Sequence, residues 1–232
     1  MTPSEARLKV LVSQIKKDVP RFDVVSKDKS KTQRFIGWIL GLIGNRQYMN
    51  GFWTTFYPKV YAPSGSNYES DPEGSFNILS HEYVHLLDTR KHPLWFKFSY
   101  MLPQLLSVFS LGAILSIWFG LWFLFFLVCF VFLCPIPAYF RMKWELRGYA
   151  VNIAIRIWKH GKLSEPVRAH ILEQFVGFGY YKMWPFRQNV IKRIEQIEKD
   201  IHSGDIMSQK PYAELYRILK LSDSDAIEAA GK

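Results

Sequence analysis

Cysteine is scarce in this chain: there are two, Cys129 and Cys134, with no second pair. That excludes a cysteine-built metal cluster and a disulfide framework, and leaves both as small apolar fillers. No repeat period runs through the sequence. Acid is also in short supply, with 20 Asp and Glu against 30 Lys and Arg, a formal charge of +10. Such an excess fits either nucleic acid or acidic lipid. No nucleic-acid-binding motif accompanies it, so nucleic acid is not an expected partner. Roughly the first thirty residues lack the apolar core of a secretory leader. Any membrane insertion is therefore expected to depend on a later segment. The longest absence marks that segment: from Phe98 to Phe140 there is no Asp, Glu, Lys or Arg.

This uncharged stretch of roughly 43 residues is too long for one crossing and suits two short helices. Leu102 to about Trp118 would form the first arm and Leu121 to Cys134 the second, with Gly120 at the turn. A re-entrant hairpin is the other reading, because each half is short for a full span. A buried soluble helix fits poorly with so much Phe, Leu and Trp. Lys91, Lys97, Arg141, Lys143 and Arg147 flank the stretch, and the turn carries no charge. By the positive-inside rule both flanks face the cytoplasm, and a bacterial inner membrane is the expected setting. Anionic lipid is the expected partner.

Just ahead of this stretch stands His81-Glu82-Tyr83-Val84-His85, an H-E-x-x-H string. On a helix, His81 and His85 leave one face and can bind one Zn²⁺, while Glu82 lies about 100° round, within reach of a water beside the metal. A helix is expected from about Ser75, as N-cap, to Asp88, with Leu79, Tyr83 and Leu86 on its apolar face. Two surface histidines on an amphipathic helix would give the same string, so a third ligand is the test. Lys91 occupies the place of a third histidine, and His92 is one residue out of register. Glu145 is the better candidate. On a helix from about Lys143 to Trp158 it shares a face with Tyr149, Asn152 and Arg156, either as the wall of a site or as a solvated stripe.

H-E-x-x-H followed far downstream by a helical glutamate resembles the gluzincins. The intervening apolar segment is most similar to their integral-membrane branch, which includes the CAAX-prenyl and heat-shock membrane endopeptidases. The resemblance spans roughly residues 45 to 158, through the strand-like Phe52 to Phe56 and Lys59 to Pro63, the His81 motif and Glu145. The layout is also similar to small metallopeptidase-like proteins of tailed phages. One position departs: where the prenyl-protease branch has an Asp that orients a zinc-binding histidine, this chain has Tyr149. Asp88 or Asn152 would then act from behind the ligands, unless Asp88 pairs with Arg90 or Lys91.

The expected fold class is α+β and predominantly helical: a small antiparallel sheet and zincin-type helices, with an inserted transmembrane or re-entrant hairpin. Five stretches organise it: N-terminal helices over 1–44, sheet and H-E-x-x-H helix over 45–97, the hairpin over 98–140, the third-ligand helix over 141–160, and a basic helical region over 161–232. Thr2-Pro3-Ser4-Glu5 is a capping-box start for a helix ending before Pro20. Phe35 to Ile43 is too short to span; it is expected to pack under the catalytic helix or to lie at an interface, with packing favoured. Asn50-Gly51 signals a hairpin joining Gln47-Tyr48-Met49 to Phe52 to Phe56. The resulting sheet either scaffolds or offers an edge to substrate. Pro63 to Gly74 is expected as a mobile loop, Glu165 to Phe175 and Phe186 to Ile201 as helices, and Ser222 to Lys232 as a frayed tail.

The expected activity is zinc-dependent hydrolysis of a polypeptide near the membrane. His81, His85 and Glu145 hold the metal, and Glu82 is the general base. Tyr149, His170, Tyr180 and Tyr181 are candidate oxyanion donors, with Tyr149 best placed. Two other classes stand beside this: a zincin-like membrane or phage assembly protein without turnover, and a membrane-perturbing protein.

Overall fold

The computed structural model describes residues 1–42, 47–178 and 182–231. The chain opens as expected. Thr2 caps helix α1 (Pro3–Asp18): its hydroxyl accepts from Glu5 N at 3.3 Å while Glu5 returns a bond to Thr2 N at 2.8 Å. Two otherwise unpaired backbone donors are satisfied in this way. Leu8, Leu11 and Ile15 are buried on one face.

That face packs on the long helix α4 (Pro72–Lys91), which in turn packs on α7 (Tyr139–His160). Leu79, Tyr83 and Leu86 of α4 are fully buried, as are Val151, Ile153, Ala154 and Ile155 of α7. Each of the Leu, Ile and Val side chains contributes about 1.5–3 kcal/mol when removed from water, so the α4–α7 contact is the centre of the fold. Helix α4 starts earlier than its apolar pattern indicates. Asp71, not Ser75, is the N-cap, accepting from Gly74 N at 3.0 Å, and Pro72 fits the first turn, where no N–H is needed.

The sheet is small and mixed, which corrects the antiparallel expectation. Strand β1 (Asp23–Ser26) runs parallel to β3 (Lys59–Ala62), with Asp23 opposite Lys59. On the other side of β3, β2 (Thr54–Phe56) runs antiparallel, with Thr55 opposite Val60. The antiparallel turn is Tyr57-Pro58, not Asn50-Gly51. Residues Tyr48–Gly51 form a helical turn (α3), in which the Gln47 carbonyl accepts from Gly51 N at 2.7 Å. Ser64 N bonds the Met49 carbonyl at 2.8 Å, and Lys27 Nζ bonds the Tyr48 carbonyl. These long-range contacts override the local hairpin preference.

Helix α2 (Lys31–Leu42) packs on α3 and on the turn just before it in the chain rather than under α4. Gln33 is its one buried residue, and Phe35, Trp38, Ile39 and Leu42 face outward. Its partly buried side carries Gln33, Ile36, Gly37 and Leu40 and its contacts are with α3 and that turn, which leaves a second apolar stripe outside.

After α5 (Pro93–Met101) the uncharged segment forms two arms that pack on each other. The first is a 3₁₀ helix over Gln104–Leu115 continued by α6 (Ser116–Phe119), and the second is a 3₁₀ helix over Leu121–Leu133. Gly120, with φ of 102°, makes the turn at the expected residue. No single described helix is long and apolar enough to cross a membrane; α5 and the first arm meet that standard only together, bent by 77°.

The C-terminal region supplies α8 (Glu165–Val176), α9 (Arg187–Ser203), α10 (Tyr212–Lys220) and α11 (Asp223–Ala230). The expected frayed tail is instead ordered as α11. Ser222 caps it, Ala226 is fully buried, and Arg7 of α1 reaches the Leu221 carbonyl at 2.9 Å and Asp223 at 2.8 Å.

Candidate metal centre

The i, i+4 spacing on α4 brings the two imidazoles of the motif together, with His81 Nε2 and His85 Nε2 3.1 Å apart. Helix α7 crosses this face and presents Glu145, whose Oε2 is 3.3 Å from His81 Nε2 and whose Oε1 is 3.7 Å from His85 Nε2. Metal–ligand bonds of about 2.0–2.1 Å at tetrahedral angles set neighbouring ligand atoms about 3.3 Å apart. The observed triangle is therefore the size of one metal's coordination sphere, and His81, His85 and Glu145 form a group that can hold an ion.

The approach of the helices depends on Gly148, one turn beyond Glu145. A Cβ there would lie 2.5 Å from His81 Nε2, inside any tolerable contact. This residue was not evident as part of the site from the sequence, although Glu145 and Gly148 share a helical face by spacing.

Asn152 orients His81. Its Nδ2 donates to the Asn77 carbonyl at 2.8 Å, which leaves its Oδ1 facing His81 Nδ1 at 3.0 Å. A carbonyl can only accept, so the amide orientation is fixed, and His81 must carry its proton on Nδ1. When the ring is neutral, as a metal ligand must be, Nε2 then offers its lone pair to the cluster. The structure thus places Asn152 against the ring nitrogen of His81 that faces away from Glu145. His85 has no equivalent: its Nδ1 is buried without a hydrogen-bond partner among the described residues.

Asp88 takes neither of its expected roles. It forms a two-pronged pair with Arg147, Nε to Oδ2 at 3.0 Å and Nη2 to Oδ1 at 2.9 Å, and so ties α4 to α7. Arg90 instead reaches the Asp18 carbonyl.

Glu82 sits beside the cluster on the same helix, and Thr55 Oγ1 of β2 donates to its Oε2 at 2.5 Å. Tyr149 lies edge-on to His81, ring centroids 4.9 Å apart, with its other side against Phe175. Of the remaining candidate donors, His170 is exposed on α8 beside Gln174. Tyr180 and Tyr181 lie outside the described residues. A donor not evident from the sequence is Tyr100 of α5, whose hydroxyl donates to Glu145 Oε1 at 2.5 Å and whose ring stands 6.3 Å from that of His85. Nothing local marks it, since Tyr100 and Glu145 meet only through the tertiary fold.

In the protein alone, a proton holds the cluster together. Burial disfavours charge on His81, but hydrogen bonding to Glu145 and the charges of Glu145 and Glu82 outweigh it and lift the imidazole to about 9. Burial would raise Glu145, yet the bonds from His81 and His85 hold it well below the usual carboxylate range. A bound cation would replace that proton as the positive charge facing Glu145.

The resemblance to gluzincins rests on these residues alone: no protein-family model matches the chain, and neither characterised proteins nor solved structures give a match.

Proposed function

We propose that the chain is a membrane-associated, zinc-dependent endopeptidase. The observation that carries this reading is the His81–His85–Glu145 triangle of metal-coordination size with Glu82 at its edge. Two nitrogens and one carboxylate oxygen are a donor set suited to Zn²⁺, and three protein ligands leave a position for chemistry. A bound zinc supplies Lewis acidity, making a water nucleophilic near neutral pH and polarising a carbonyl.

The chain's own residues do the rest. Asn152 fixes the tautomer of His81. Glu82, steadied by the Thr55 hydroxyl, takes the water's proton and delivers it to the leaving amine. Tyr149 is the candidate donor to the oxyanion, being half-buried beside His81.

Membrane association rests on the paired arms, where Phe109, Leu111, Ile117, Trp118, Phe119, Leu121, Trp122, Phe125 and Val128 are all exposed. Exposed Lys91, Lys97 and Lys143 stand near the base of the arms in sequence, in keeping with a cytoplasmic site and an anionic leaflet.

Metal analysis of the purified protein tests the ligand set. About one zinc per chain is expected, with loss in His81→Ala and Glu145→Ala; unchanged stoichiometry in Glu145→Ala would refute it. Digestion of an unfolded protein substrate tests the chemistry. Glu82→Gln should keep the zinc and lose at least about 100-fold in rate. Zinc bound without hydrolysis in the wild type would point instead to a non-catalytic assembly protein.

A further inference from the structure

Helix α2 leaves an apolar stripe uncovered. Its inward side carries Gln33, Ile36, Gly37 and Leu40: Gln33 is fully buried and accepts from the Tyr48 hydroxyl, Gly37 lies against Met49, and Ile36 and Leu40 are half-buried. Beneath it Lys27 is also fully buried, with Nζ 4.0 Å over the Tyr48 ring. A second apolar stripe faces away. Phe35, Trp38, Ile39 and Leu42 follow the i, i+3, i+4, i+7 spacing of one helical stripe, and they are 61%, 62%, 41% and 70% exposed. Phe35 and Trp38 stack with centroids 6.1 Å apart, which makes the stripe continuous.

We propose that α2 is a second lipid-docking element, lying in the headgroup layer of an anionic bilayer independently of the hairpin arms. Charge selects this occupant. Lys29, Lys31 and Arg34 are exposed at the start of the helix, and the neighbouring acid, Asp28, is engaged by Ser26 and by Gly65 N. A basic turn beside an aromatic stripe matches phosphate headgroups over acyl chains. A two-fold contact with a second copy would set this basic patch against itself. At 12 residues the helix is about 18 Å long, too short to cross but suited to lying flat.

The test uses the full chain with Cys129→Ser and Cys134→Ser, reconstituted into vesicles. An environment-sensitive fluorophore is attached at Leu42→Cys, which leaves Phe35 and Trp38 in place. In phosphatidylcholine vesicles containing phosphatidylglycerol, a blue-shifted emission and a severalfold loss of iodide quenching are expected, together with quenching by nitroxides placed just below the headgroups. Lys31→Glu with Arg34→Glu should restore iodide access. A probe that stays fully open to iodide would overturn the proposal. So would protection that ignores lipid charge and grows with protein density, which would assign the stripe to a second copy. The same fluorophore at Trp122→Cys reports on the hairpin separately, so failure of that reading is seen independently of α2.

Discussion

Between α7 and the His81 imidazole there is no room for a methyl group, and that absence organises the centre. Gly148→Ala should displace His81 or part the helices. A zinc affinity at least about 100-fold weaker is expected by chelator competition, with helical content retained by circular dichroism. An unchanged affinity would show that α7 shifts freely, and the close packing of the two helices would then carry no function. His81, His85 and Asn152 were legible in the sequence because helical spacing alone fixes which side chains share a face. Thr55 and Tyr100 were not, because a threonine and a tyrosine acquire meaning only from the partner that the fold brings to them. Lys27 was equally silent. Burial, opposed by the charge of Glu82, lowers its ammonium to about 8. At neutral pH the folded chain therefore carries a buried charge at a cost. Between about pH 8 and 10.5 the unfolded chain binds the extra proton, so this cost falls and stability rises with pH, by at most roughly 3 kcal/mol. Urea midpoints in detergent at pH 7.5 and 10 should show wild type gaining on Lys27→Met. A gap independent of pH would mean that Lys27 titrates as it does in water.

At the scale of elements, the long periodic helices were readable and the short pieces were not. Strand β1 is not legible in the sequence, because four residues between a helix and a basic turn carry too little pattern. Asn50-Gly51 makes no hairpin because contacts from Ser64 and Lys27 clamp that turn as helix. The junction of the arms with α7 is another non-local feature. Arg141 Nε donates to the Tyr100 carbonyl at 3.0 Å and its Nη2 to Gln104 Oε1 at 3.0 Å, while Trp144 Nε1 donates to Ser99 Oγ at 3.0 Å. Helix α7 thus grips the base of the first arm one turn from the ligand that Tyr100 supports. Tyr100→Phe removes only the hydroxyl and should weaken zinc binding by about 10-fold, the scale typical of a partner that orients a ligand. If chelator competition finds no difference between the two proteins, the arm and the centre are mechanically separate.

For the whole molecule, the centre constrains the path of the chain. His85 precedes the uncharged segment and Glu145 follows it, yet their side chains come within 3.7 Å. The chain must therefore return to the side it left, whatever the segment traverses. Winding as 3₁₀ helix adds reach: at about 2.0 Å per residue, the 13 residues of the second arm extend about 26 Å, close to the hydrocarbon thickness of about 30 Å. The sequence gives the length of this segment but not its winding, which is why the arms read as short for a span. The two cysteines are native probes of the outcome, since Cys129 lies within the second arm and Cys134 at its end. In sealed vesicles a charged maleimide should label Cys134 and leave Cys129 unmodified until the lipid is dissolved by detergent. Rapid labelling of Cys129 in intact vesicles would mean that the arms rest outside the bilayer, and the exposed Phe and Trp side chains would then require a protein partner.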